Sequence, residues 1–215
     1  MTESKSIYEN PIEDDVCVDD KKKYEAIKNA WLDILKNLYG DNWADDPNLT
    51  ETPHRIAKSM VYERCKNINC NEEARKILNV RFPSKYKGFI VTNPVTVDSL
   101  CPHHFENVNY VVVAGYIPTD GVVGLSKIGR VIKAVGRQPI LQEDYIMTLA
   151  DIFMEELRAE GVGVIVSGVH NCMVARGLQS PESDVTMAEM RGTFRDDPSV
   201  KQEFYDLVKL KLRKR

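Results

Sequence analysis

Two short stretches of this chain collect most of its metal-binding and proton-carrying side chains: SLCPHHF, with Cys101, His103 and His104, and GVHNCMVARG, with His170 and Cys172. Cys101 and His104 are separated by two residues, the spacing at which one turn presents two ligands to one ion, and Cys172 offers a third from a distant segment. Two thiolates and one imidazole leave the fourth position of a zinc ion to water, and bound zinc brings the pKa of that water to about 7. Such a set points to a catalytic site, because a structural site takes a fourth protein ligand. On spacing alone a second reading stays open, in which the cysteines are small core residues and the histidines lie on a surface loop.

Histidine titrates near neutrality, so His103 and His170 are candidate proton carriers. Read as a strand, GVHNCMVARG places His170 and Cys172 on one face, and brings Arg176 near the same site if the strand continues that far. Lys127, Arg130 and Arg176, with Arg55 and Lys58, could gather around a polyphosphate; each also reads as part of a solvated basic face. Glu143 has the pair of acceptors that guanine's N1–H and 2-amino group would need, and reads equally as a carboxylate near a helix start.

These residues need a scaffold, and the apolar pattern outlines one. Residues 1–20 are polar and acid-rich and read as a loose tail, 21–87 as a helical region and 88–215 as the main domain. Tyr24, Ile27, Trp31, Ile34, Leu35 and Leu38 recur at helical spacing until Gly40. Thr52 before Pro53 signals a second helix with a hydroxyl cap, carrying Arg55 and Lys58 on one face, and a short helix is expected over 71–78. The β-branched runs 89–97 and 108–116 read as two strands joined by the SLCPHHF loop. One helix follows Gly124, and another opens at Pro139 and closes at Gly161. Residues 161–177 read as a third strand, a fourth lies within 184–194, and a last helix follows Pro198. The fold class is α+β, in strand, strand, helix, helix, strand, strand order.

A chain of 215 residues with 43% hydrophobic side chains can bury one sizeable core but is short for two full domains. No apolar run is long enough to cross a bilayer, and MTESKSIYENPIEDD lacks the order of a secretory signal, so a soluble, cytoplasmic protein without a membrane partner is expected. A net charge of −3 speaks against a nucleic-acid coat, and the terminal KLKLRKR reads as a solvated helix end. Five cysteines form an odd set without framework spacing, so disulfides are not expected, and Cys65 with Cys70 has no third ligand nearby.

Taken together, SLCPHHF, VVGLSKIGRVIKAVGRQPILQED, GVHNCMVARG and RGTFRDDPSVKQEF, with DPNLTETPHRIAKSM upstream, resemble type I GTP cyclohydrolase from about Asp46 onward. The resemblance implies the tunnelling fold, an antiparallel four-stranded sheet with N-terminal helices, and a homodecamer with active sites between subunits. It implies GTP as substrate and Zn²⁺ held by Cys101, His104 and Cys172, with His103 and His170 as acid/base residues. By the same resemblance Gln142 and Glu143 hold the guanine. Ser126, Lys127, Arg130 and Arg176 contact the ribose triphosphate, and Arg55 and Lys58 reach in from a neighbouring subunit. The implied reaction is attack of metal-activated water at C8 with His170 protonating N7, loss of formate, His103-assisted opening of the ribose, and closure to 7,8-dihydroneopterin triphosphate.

The chain departs from the family pattern at Pro102, where Glu is usual, and in FENVNY, which lacks the usual Pro-Phe pair. Pro102 removes a carboxylate beside the ligands and stiffens their turn, which bears on the sugar steps and on GTP over dGTP. Two other readings keep the fold: a purine or pterin enzyme with altered product, such as a reductase with a cysteine nucleophile, and a catalytically silent nucleotide-binding assembly protein.

Overall fold

A computed structural model describes residues 18–66, 68, 71–180 and 184–212. The chain divides into two compact units, residues 1–63 and 64–215.

In the first unit α1 spans Val18–Tyr39 and ends at Gly40, whose φ of +87° is open to glycine at little cost. The helix begins inside the span read as tail; residues 1–17 lie outside those described. α2 spans Thr52–Lys58 and runs into a π-helical turn over Ser59–Arg64. Pro53 falls in the first turn as expected, but Thr52 is a helical residue rather than the cap. Its N–H is already bonded to the Leu49 carbonyl at 2.9 Å and its hydroxyl donates to the Asn48 carbonyl at 3.4 Å, so the cap position falls to Glu51. Tyr24, Ala57 and Val61 form a small core, in which Tyr24 stacks on Tyr62 and bonds His54 through its hydroxyl.

The second unit is built on one antiparallel sheet. After α3 (Asn71–Lys76) and β1 (Arg81–Pro83) come β2 (Ile90–Val91), β3 (Val95–Leu100), β4 (Asn107–Pro118) and β5 (Gly121–Val123). Helices α4 (Leu125–Gly136) and α5 (Gln142–Glu156) follow. β6 (Ala159–His170), α6 (Asn171–Val174), β7 (Asp184–Gly192), α7 (Thr193–Asp196) and α8 (Pro198–Leu212) complete it. β1 pairs with β5 in a small ribbon, and the main sheet runs β2, β4, β6, β7 with β3 also on β4. The order of two strands, two helices and two strands is the one expected.

The sheet has five strands rather than four because its first strand is broken. β2 and β3 lie along the same edge of β4, opposite residues 115–116 and 107–112. Between them Thr92 takes the Ala114 N–H on its hydroxyl at 3.1 Å, and Pro94 has no N–H for a ladder bond. The third strand also differs: it stops at His170, not at residue 177. His170 is opposite Val108, next to the β4 residue at which the chain leaves the sheet, so beyond it β6 has no partner on that side and the backbone turns into α6. α5 starts at Gln142 because Pro139 is drawn into a parallel bridge with Leu100, and Ile140 donates to the Leu100 carbonyl at 3.2 Å. It ends at Glu156, and Gly161 belongs to β6.

Alternation along β4 and β6 feeds two layers. Val112, Ala114, Val162, Val164 and Val166 pack against Ile128, Ile132, Leu149 and Phe153 of α4 and α5, and Val113 and Ile117 pack against Phe194 and Phe204 on the opposite face. Each of the valine, leucine, isoleucine and phenylalanine side chains among them, fully buried, contributes about 1.5–3 kcal/mol. The sheet is thus clamped on both faces, and the β3–β4 turn, the end of β6 and the start of α5 are held at one edge of a rigid frame.

Candidate metal centre and the cleft beside it

Cys101 follows the last residue of β3 and begins a tight turn. Its N–H bonds the Glu106 carbonyl and the Phe105 N–H bonds the Cys101 carbonyl, both at 2.9 Å, with Phe105 at a φ of +54°. This turn brings the Nδ1 atoms of His103 and His104 to 3.9 and 3.8 Å from the Cys101 sulfur. Cys172 arrives on α6. The strand-face argument that paired it with His170 does not hold, since only His170 is in the strand, but the helical turn carries Cys172 back to the same cavity. The ligand atoms of Cys101, His104 and Cys172 lie within 4.8 Å of one another. Zn–S bonds of ~2.3 Å and Zn–N bonds of ~2.0 Å in a tetrahedron give edges of about 3.5–3.8 Å. The residues present therefore fit a zinc ion with only small adjustment. Cys101 is buried, Cys172 half-buried and His104 exposed, so the cluster faces solvent on one side.

Burial pushes the Cys172 thiol above its usual range, and the adjoining Cys101 sulfur adds to this, while Arg176, which lies beyond the end of β6, acts in the opposite sense.

The cluster forms one wall of a cavity of about 260 Å³, whose other polar lining is His103, Gln142, Glu143 and His170. Gln142 is 2% exposed. Its Nε2 donates to the Val185 carbonyl at 2.8 Å and the Val166 carbonyl at 3.2 Å, which fixes the amide orientation, because only the nitrogen can donate. The Oε1 then meets His170 Nε2 at 2.8 Å, so that nitrogen must carry the hydrogen and Nδ1 is left as the ring's other site. Burial lowers the His170 pKa, and the Glu143 carboxylate partly offsets it. Gly168, opposite Tyr110 in the sheet, makes this approach possible: a Cβ there would lie 2.7 Å from both Gln142 Oε1 and the Tyr110 ring.

Glu143, in the first turn of α5, lines the same cavity and is exposed. Three of the expected triphosphate contacts, Ser126, Lys127 and Arg130, do not line this cavity. Ser126 is exposed in the first turn of α4, Lys127 Nζ reaches the Val80 carbonyl at 3.5 Å, and Arg130 lines a second cavity of about 320 Å³ with Lys66, Lys133, Arg137 and Glu73. The two cavities share no lining residue. Arg55 and Lys58 lie three residues apart on α2 in the first unit.

Sequence reasoning missed Gly168, Tyr110 and the apolar wall formed by Ile140, Met173 and Met187. A glycine two residues before His170 inside a strongly alternating strand was a signal of close backbone approach; the inward-facing tyrosine carried none.

Comparison with known proteins gives a consistent answer. The family described as GTP cyclohydrolase I matches residues 27–209. GTP cyclohydrolase 1 of Dehalococcoides mccartyi is 34% identical over 189 residues, covering 87% of this chain and 97% of that protein. The enzyme of that name from Bacillus pumilus is 33% identical over 186 residues, covering 86% and 96%. The Drosophila melanogaster protein is 34% identical over 179 residues, covering 83% of this chain and 54% of its own length. Among solved structures, the apo archaeosine synthase QueF-Like aligns with 50% of this chain and 97% of its own at 17% identity and a TM-score of 0.42. With the family's pattern matched over most of its length and relatives above 30% identity along nearly their whole chains, this protein belongs to the GTP cyclohydrolase I family.

Proposed function

We propose that this chain hydrolytically opens the guanine ring of GTP, releases formate and yields 7,8-dihydroneopterin triphosphate, as a zinc-dependent homo-oligomer. The observation that carries the reading is the convergence of Cys101, His104 and Cys172 beside His170 in a member of this family. Zinc held by these three residues would supply a Lewis acid that makes water acidic enough to add to C8 at neutral pH.

The chain's own groups do the rest. Glu143, at the cavity wall, accepts from guanine N1–H and the 2-amino group and sets the base in register. Gln142 holds His170 by Nε2, so the proton delivered to guanine N7 is carried at Nδ1. His103, exposed on the turn that carries Cys101 and His104, serves the ribose opening. Ser126, Lys127, Arg130 and Arg176, with Arg55 and Lys58, hold the triphosphate, whose binding energy keeps a long substrate aligned through several steps. Because Arg130 and the zinc ligands line separate cavities within one chain, a neighbouring copy is the natural source of part of this cationic set, in keeping with a decamer.

The test is purified protein with GTP, with and without a chelator, following formate and pterin absorbance, and dGTP in parallel. Chelator-sensitive release of both products is expected. Absence of formate from zinc-loaded protein would refute the reading, and formate without pterin would refute the ring-closing half of it.

A further inference from the structure

Gln142 grips the His170 imidazole at one atom, Nε2, at 2.8 Å. That nitrogen is remote from Cβ and close to the axis of the Cβ–Cγ bond, so a turn of the ring about this bond moves it little. Nδ1 is further from the axis and moves more. The torsion itself is broad and roughly two-fold in histidine. One hydrogen bond at Nε2 therefore leaves the plane of the ring loosely set, and a proton held at Nδ1 is aimed only if a second contact fixes that plane.

The second contact is aromatic. Tyr110 lies on β4 directly opposite Gly168 of β6. Its ring meets the His170 ring at a centroid distance of 6.1 Å and an interplanar angle of 80°, the edge-to-face arrangement that aromatic pairs favour. Tyr110 is in turn held from behind. It is 1% exposed, it stacks on Tyr145 at 5.0 Å and 21°, and it covers the Gly168 backbone so closely that a Cβ there would lie 2.7 Å from the ring. Tyr145, fully buried on α5, donates its hydroxyl to the Ile132 carbonyl of α4 at 2.7 Å. A column of three rings thus runs from the helical layer to the end of β6. The Tyr110 hydroxyl takes no part in it, having no hydrogen-bond partner among the described residues.

We propose that Tyr110, backed by Tyr145, is a positioning residue that sets the plane of the His170 imidazole and so aims Nδ1 into the cleft. This presupposes the assignment of His170 as proton donor made above. Gln142 and Tyr110 then divide the task, one holding the far end of the ring and the other its tilt.

The experiment follows formate release against GTP concentration in the full-length chain and its variants. Tyr110→Phe keeps the ring and should leave kcat and KM unchanged. Tyr110→Leu stays apolar but offers no ring; an edge-to-face pair is worth roughly 2- to 13-fold, and kcat should fall by that factor with KM for GTP unchanged. Tyr116→Leu is the packing control, since Tyr116 is equally buried on β4 with an unpartnered hydroxyl but lies outside the cavity lining; its kcat should match the unmodified chain. A readout independent of turnover is NMR relaxation of the His170 ring C–H groups, identified by their loss in His170→Asn, which should show added ring motion in Tyr110→Leu and none in Tyr110→Phe. If Tyr110→Leu does not fold, Tyr110→Met, ringless and adaptable in packing, takes its place with the same outcomes. Unchanged kcat in the ringless variant, an equal fall in Tyr116→Leu or in Tyr110→Phe, or unaltered His170 ring motion would each overturn the proposal. If the unmodified, zinc-loaded chain releases no formate, the function reading fails, while the ring motion still decides the part played by Tyr110.

Discussion

The assignment of Gln142 to guanine binding, implied by family resemblance, and the assignment made by its hydrogen bonds lead to opposite kinetic outcomes. Gln142→Leu keeps a side chain of similar volume in a site that is 2% exposed, and removes the bonds to His170 Nε2 and to the Val166 and Val185 carbonyls. Leaving the His170 Nε2–H without its acceptor costs roughly 1–3 kcal/mol. If that energy is what holds the proton on Nε2 and keeps Nδ1 facing substrate, then at 1.36 kcal/mol per factor of ten kcat falls by roughly 5- to 150-fold. KM for GTP should stay within about threefold, since both amide N–H groups and one lone pair of the amide oxygen are already engaged away from the base. Formate release measured against GTP concentration separates the two terms. A KM raised tenfold or more with kcat unchanged would place the amide on the guanine and refute the positioning argument.

Gly168→Ala puts a Cβ at 2.7 Å from Gln142 Oε1 and from the Tyr110 ring, both held by other contacts. Overpacking of this kind costs about 1–3 kcal/mol, less the 0.5–1 kcal/mol that alanine gains over glycine in a strand, and thermal unfolding should show a fall of a few degrees together with reduced turnover. Glu143→Ala, at the wall of the cavity, should weaken GTP far more than inorganic triphosphate in direct binding; equal losses would remove it from base recognition.

The element order was legible because apolar period and Gly/Pro punctuation agree along most of the chain, as in α4, where Ile128, Val131, Ile132 and Val135 recur at helical spacing and all are buried. What could not be read locally were effects of pairing. The break between β2 and β3 comes from Thr92 and Pro94 meeting β4, the end of β6 from exhaustion of its partner strand, and the late start of α5 from a bridge between Leu100 and Pro139. The convergence of Cys101, His104 and Cys172 was partly legible for a related reason: two of the three lie in one turn, where spacing equals proximity, whereas the strand face that was to set His170 beside Cys172 ends at His170. The Gln142–His170 bond and the packing of Tyr110 on Gly168 escaped because they depend on which atoms face which across the sheet, information that no residue type carries.

The Cys101–Glu106 turn is closed by backbone bonds that involve neither sulfur nor imidazole, and it is anchored to a sheet packed on both faces. Unlike a finger domain that collapses when stripped, such a scaffold needs no ion to close it. On the zinc-dependent reading proposed above, removing and restoring metal would then turn activity off and on with no refolding.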